Sequence, residues 1–318
     1  MSLLPADALH TLEKGTLCRT AVLTSSGPHL TPAVFALSDD RVWVTTSRSS
    51  VKAAAWRADQ RFAGLVEGED RIVCFTGHAR IHDALDPDTW SESFAAAPAA
   101  LRAAFRFTKK NARFFAGYAV DARRIPLAWT PPGRVFAELE PAAGLVVERD
   151  RVGSAWGRLG ASSSSHERFR MWRRSSRDPL EGLPEDVAER LPRAGEGALA
   201  FETSRGPLAL PVRWGVHAGE VVAAIGVEFL GKAGVGPTAR VALEVDVASA
   251  WRARSMCGVL FRGTGEVYVL EQLSSGGRSA GEAVAATGAS RSGTALVRVR
   301  PDRLTWWRGW SSGTVRPG

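Results

Sequence analysis

Positions 45 to 52 read Thr45-Thr46-Ser47-Arg48-Ser49-Ser50-Val51-Lys52, which gathers hydroxyls and two cations where an extended segment gives way to a helical one. Such a corner can bind an anion. The first amides of a helix have no intrahelical acceptor, and the helix dipole places partial positive charge at that end. Lys52 in the first turn opposes the dipole by roughly 0.3–1 kcal/mol, a sign that an anionic ligand would reverse. Arg48 can grip two phosphate oxygens at once, Lys52 supplies a point charge, and the serines add neutral donors.

Other chemistries find less support. Gly231-Lys232-Ala233-Gly234-Val235-Gly236 matches neither the Walker pattern nor the dinucleotide fingerprint in order, and no alternation of strands and helices surrounds it. His78 and His82 fall on an expected strand, where four residues span ~13 Å, too far for one metal ion. His29 belongs to a turn, where exposure to solvent is expected. Spacing offers no Ser-His-Asp or Cys-His arrangement, so no catalytic residue is assigned. A redox cofactor would need none, because it carries the electron chemistry itself.

The corner has to be held by strands. Arg19 to Thr24, Leu30 to Leu37, Val42 to Thr46, Phe62 to Glu67 and Ile72 to Ile81 are rich in β-branched and aromatic residues and are separated by turn signals. Short strands joined by tight hairpins predict an antiparallel barrel or sandwich rather than a parallel sheet. One helix interrupts them, from about Val51 to Gln60, with Ser49 or Ser50 as its cap. Further helix is expected from Asp86-Pro87 to about Ala97, then over Ala99 to Phe107 and Lys109 to Phe115. Extended structure is expected to return through Tyr118 to Val120 and Ile125 to Trp129. Between Glu148 and Pro192 periodicity fades, which predicts a linker with a short helix near Glu185 to Arg190.

Beyond the linker the first pattern repeats. Gly206-Pro207 lies on Gly27-Pro28, Pro211 on Pro32 and Arg240 on Arg61; with one inserted residue Lys232 lies on Lys52. That alignment replaces Ser47, Arg48, Ser49 and Ser50 by Val227, Glu228, Phe229 and Leu230. Glu228 would repel a phosphate, and Gly234, Gly236 and Pro237 shorten the helix. The second copy is expected to have lost its anion site and to serve as a wall. The domains are accordingly 1–146, a linker over 147–192, and 193–318.

The 318 residues suffice for two domains with their own cores. Three distant cysteines fit a reducing compartment, and with no signal segment or apolar run of membrane length they predict a cytoplasmic protein. A net charge of +8 arises from scattered arginines, without the helix-turn-helix or zinc-finger pattern of a groove reader, so nucleic acid is an unlikely partner.

Arg19 to Thr24, Gly27-Pro28-His29-Leu30-Thr31-Pro32, the Thr-Thr-Ser-Arg-Ser-Ser-x-Lys segment and Gly77-His78-Ala79-Arg80-Ile81 follow one another over residues 10 to 85. In order and spacing they resemble landmarks of the pyridoxamine 5′-phosphate oxidase-like split barrels. This resemblance implies a predominantly β fold with peripheral helices, namely two tandem split β-barrels forming an intrachain pseudo-dimer. It also implies FMN, with its phosphate on Arg48, Lys52, Ser47 and Thr46, next to Thr45, and its ring along Pro32, Ala33 and Val34. The implied activity is flavin-dependent oxidoreduction of a small organic substrate, with a nicotinamide or oxygen as redox partner, in a monomer or homodimer. A flavin or haem carrier, or a deazaflavin reductase, is the alternative.

Overall fold

The computed structural model describes residues 4–121, 133–148, 151–160, 178–247, 255–270, 277–290 and 293–317. An N-terminal helix α1 (Ala6–Lys14) precedes β1 (Leu17–Thr24), β2 (Gly27–Ser38), β3 (Arg41–Ser47), α2 (Val51–Ala58), β4 (Arg61–Glu67) and β5 (Arg71–His82). A 3-10 turn at Pro87–Thr89, α3 (Trp90–Lys110) and α4 (Ala112–Asp121) lead to β6 (Arg134–Glu148) and β7 (Arg151–Trp156). The second half holds α5 (Glu185–Ala188), β8 (Ala194–Thr203), β9 (Gly206–His217), β10 (Glu220–Gly226) and α6 (Val227–Ala233). It continues with β11 (Thr238–Val247), β12 (Cys257–Val269), α7 (Gly277–Thr287), β13 (Thr294–Arg308) and β14 (Ser311–Val315).

The two sheets have one topology. Strand order is β3-β2-β1-β4-β5-β6-β7 in the first and β10-β9-β8-β11-β12-β13-β14 in the second, with β3–β6 and β10–β13 pairing to close each into a six-stranded barrel. Matching hairpins set the registers. Thr24 pairs with Gly27 and Thr203 with Gly206, and in each case the threonine hydroxyl donates to the glycine carbonyl, at 2.7 and 2.8 Å. The β2–β3 turn uses Asp39 and Asp40, both at positive φ, which short polar side chains tolerate.

Alternation along the strands explains how the barrels join. On β1 and β4, Val22, Phe62 and Val66 point into the first barrel, while Ala21, Ala63 and Leu65 join a core shared with Leu199, Leu210 and Leu243 of the second. Both faces of these strands are therefore buried, which is why β4 reads as an unbroken apolar run. The expected pseudo-dimer is built on this seam.

Several expectations are corrected. α3 runs through Pro98 without a break, because alanines on both sides favour helix and the proline lies exposed. Tyr118 to Val120 belongs to α4 rather than to extended structure, helical continuation overriding the β preference of Tyr and Val. Ile125 to Trp129 lies outside the described residues. β6 continues to Glu148, and β7 occupies part of the segment expected to be linker. His29 is buried rather than exposed, since the second barrel covers its hairpin. Among the described residues no helix is long and apolar enough to cross a membrane.

Candidate anion corner at the barrel seam

β3 ends at Ser47, paired with Arg134 of β6, and the Arg48 N–H donates to Gly133 O at 2.9 Å. The chain then turns into α2. Ser50 is the N-cap, its Oγ accepting from Ala53 N at 3.1 Å, and Thr46 Oγ1 donates to that same Oγ at 2.9 Å. Ser47 and Ser49 hydroxyls lie 3.1 Å apart on the exposed side. Thr46 and Ser50 thus shape the helix start, while the Ser47–Ser49 pair is exposed and the amides of Val51 and Lys52 precede the first intrahelical bond.

Lys52 is buried. Its Nζ reaches only Thr31 O, at 3.4 Å, and among the described residues no carboxylate forms an ion pair with it. Burial draws its pKa down to about 8, and Arg134 adds to the fall, while Cys18 and more weakly Glu244 pull the other way. Arg48 donates to Asp83 at 2.6 Å, and Arg57 holds the other Asp83 oxygen at 2.7 Å. The Asp83 carboxylate is buried and orients Arg48, whose own Nε is buried and has no hydrogen-bond partner among the described residues. Arg134 donates to Thr45 Oγ1 at 2.9 Å and to Thr45 O at 2.8 Å.

The structure therefore brings Thr45, Thr46, Ser47, Arg48 and Lys52 to one corner. Lys52 reaching Thr31 O sets β2 beside it, with Pro32 next in the strand. On the outer face of β2, Leu30 enters the seam core while Val34 packs with Phe107 of α3, so Pro32 lies between seam and helix. Pro32 and Ala33 are half-buried, whereas the Val34 side chain is committed to α3. Asp83, Arg57 and Arg134 escape sequence reading, because only the pairing of distant strands and the α2 packing bring them here.

Across the seam the second barrel supplies both charges. Arg262 donates to Pro28 O at 2.9 Å and to the Thr24 hydroxyl at 2.6 Å, clamping the β1–β2 hairpin. Burial, then Arg262 and Lys52, push the His29 imidazole down to about 3, and its Nδ1 has no partner among the described residues. Arg19 bonds Glu67 and Glu244 at 2.7 Å each and Asp246 at 3.0 Å.

No family model matches the chain, and no curated protein matches it in sequence. Among solved structures, General Stress Protein 26 of Bacillus anthracis is similar at 13% identity and TM-score 0.30, over 44% of this chain and 90% of that one. A pyridoxamine 5′-phosphate oxidase-related, FMN binding protein of Nostoc punctiforme is similar at 17% identity and TM-score 0.32, over 45% and 81%. A heme binding protein of Mycobacterium smegmatis is similar at 20% identity and TM-score 0.31, over 41% and 55%. The strand pairing itself defines the architecture. This chain is a tandem split barrel.

Within it the two corners differ, and the sequence alignment needs one change. Val227 N donates to Gly293 O as Arg48 N donates to Gly133 O, so Val227, not Glu228, stands where Arg48 stands. α6 starts there directly, capped by Gly226 without a side-chain bond. Counted from the caps, Glu228 then matches Lys52, while Lys232 falls in the last turn and is exposed. Arg134 is matched by Thr294. Each cation of the first corner has a neutral or acidic counterpart in the second.

Proposed function

We propose that the first split barrel binds FMN at the β3–α2 corner, and that the chain is a flavin-dependent oxidoreductase for a small organic substrate. The observation that carries this reading is Lys52, an ammonium buried with a single long contact and no paired carboxylate. A buried charge so poorly compensated is costly unless an anion completes its shell. The partnerless Nε of Arg48 fits the same acceptor.

Lys52, the Val51 and Lys52 amides and the Ser47 and Ser49 hydroxyls would hold the phosphate, with Arg48 kept in place by Asp83. Asp83 is shared with Arg57, so the cluster keeps a surplus of positive charge. Pro32 and Ala33 would border the ring, and the second barrel would exclude water from its far side. Bound FMN supplies hydride or electron transfer, which accounts for a site without an acid–base pair. A nicotinamide or oxygen would serve as redox partner, and the barrels of one chain would complete the site as a monomer or as half of a homodimer.

The test is an absorption spectrum of freshly purified protein with mass identification of the released ligand, followed by reduction with a nicotinamide and reoxidation in air. A flavin spectrum lost in Lys52→Met supports the reading. Bound flavin without turnover leaves a carrier, and retention equal to wild type in Lys52→Met places the phosphate elsewhere.

A further inference from the structure

Helix α3 is apolar on two opposite faces. Ala103 and Phe107 are buried, and Phe107 packs with Val34 and Ala36 of β2. Trp90, Phe94, Leu101 and Phe105 lie on the far side, within about 60° of one another around the helix axis. They are 45, 76, 73 and 71% exposed. Six of the eight large apolar side chains exposed among the described residues fall between Leu85 and Phe115, and apolar surface so concentrated marks an interaction face rather than ordinary scatter. Trp90 is already held in place, its Nε1 donating to Ala84 O at 3.2 Å, so its ring can be covered without losing a hydrogen bond.

The spacing selects the occupant. Trp90 and Phe105 stand equally far from the middle of the stripe, as do Phe94 and Leu101, and the middle falls between the small residues Ala97 and Pro98. A second copy laid antiparallel about a two-fold axis through that point sets Phe94 against Leu101 of the other copy and Trp90 against its Phe105, in one row about 22 Å long. Charge follows the same order. Asp86 and the exposed Asp88 sit at the N-terminal end of α3, and the exposed Arg106 and Lys109 at its C-terminal end. Antiparallel pairing therefore brings each basic end to an acidic one, with the helix dipoles acting in the same sense. A parallel pair would set like charges together, and an anionic bilayer along the stripe would meet Asp86 and Asp88 as well as the cations.

The geometry points to the exposed face of α3 as a homodimer interface, in which two copies of this chain pair antiparallel through Trp90, Phe94, Leu101 and Phe105. This contact is separate from the seam between the barrels and does not depend on the FMN reading. One helix against one helix is a modest interface, so a dissociation constant in the micromolar range is expected.

Sedimentation equilibrium of the full chain tests it. Dimer should predominate at about 100 μM. Phe94→Glu with Leu101→Glu should leave a monomer at that concentration; both positions are exposed, and circular dichroism checks that the variant folds. Arg106→Glu sets a carboxylate near Asp88 of the other copy and should weaken the dimer about fivefold or more, and adding Asp88→Lys exchanges the two charges and should restore it. A monomeric wild type, a dimer that survives the double glutamate variant, or an affinity unmoved by Arg106→Glu or not restored by Asp88→Lys overturns the proposal. So does a monomer that pellets with phosphatidylglycerol vesicles, which would give the face to a membrane.

Discussion

Arg19 of the first barrel holds Glu244 of the second at 2.7 Å, and the same guanidinium reaches Asp246 at 3.0 Å. Both carboxylates are buried beside each other in the seam, with Arg19 as the cation they share. Removing Arg19 leaves the Glu244 and Asp246 carboxyls facing each other in the seam without the cation that holds them. Arg19→Met should therefore cost about 3–5 kcal/mol, the scale for breaking a buried pair from one side. Urea unfolding measures it, and adding Glu244→Gln should recover part of the loss. A midpoint unchanged in Arg19→Met would refute the role of this cluster in joining the barrels.

The same cluster makes stability depend on pH. Burial pushes the Glu244 carboxyl from 4.5 up to about 8, and Asp246 adds to the rise against the pull of Arg19. Its folded value lies above its unfolded one, so its contribution is fully present below pH 4.5 and is lost as pH rises through about 8. His29, pushed down from 6.5 to about 3, has the opposite slope between those two values. Above pH 6.5 that opposition ends. Stability should thus fall between pH 6.5 and 8, and Glu244→Gln should flatten the fall, as read from urea midpoints across that range.

The cap of α2 separates a structural from a ligand-binding role. Ser50→Ala removes the acceptor of both Ala53 N–H and the Thr46 hydroxyl, and should cost about 1 kcal/mol. Ser50→Asp keeps a good cap but adds negative charge at the anion corner. It should hold the thermal midpoint near wild type and still lose FMN, measured by flavin absorbance after reconstitution. Equal flavin content in Ser50→Asp and wild type would contradict the site.

Much of this architecture was legible because local chemistry dictates it. Thr24 and Gly27, like Asp39 and Asp40, specify tight hairpins by themselves, and the repeated Gly-Pro with Arg61 and Arg240 disclosed the duplication. β6 was missed for the opposite reason. Pro141 and Gly144 both disfavour a strand, and the register shift at Thr76/Gly77 of the partner strand, where Gly77 meets Pro141, is how the sheet admits the proline. The site divides similarly. Ser47, Arg48 and Lys52 share one short segment, whereas Asp83 and Arg134 are brought in by packing. The Arg48–Glu228 equivalence failed by one residue, because the second copy shortens the turn before its helix.

The duplication also places each conserved-geometry hairpin under the other barrel. Gly27, at φ 95°, lies against Arg240, and Gly206, at φ 121°, lies against Arg61; a Cβ at either would stand 3.1 Å from the arginine Cβ. Gly27→Ala and Gly206→Ala should each cost about 1–3 kcal/mol from backbone strain alone. Thermal unfolding of the two single variants should show losses of similar size, since the environments are reciprocal. A neutral Gly206→Ala would mean that Gly206 is not held at positive φ.

Lys52 should set stability against function. Burial lowers its pKa from 10.5 to about 8, so its cost is fully present below pH 8 and is relieved as pH rises toward 10.5. At ~1.4 kcal/mol per tenfold, keeping the ammonium charged costs roughly 3 kcal/mol. Lys52→Met, an apolar chain of similar length, should therefore raise the urea midpoint of the ligand-free protein at pH 7 while abolishing flavin retention. The wild type needs the charged form to meet a phosphate, so FMN binding at pH 8 to 9 should take up a proton, and affinity should fall as pH rises above 8. Titration calorimetry in buffers of different ionisation enthalpy reads that uptake directly. A wild type that binds FMN without proton uptake, or a Lys52→Met protein less stable than wild type, would show that the ammonium is not held in strain for a phosphate.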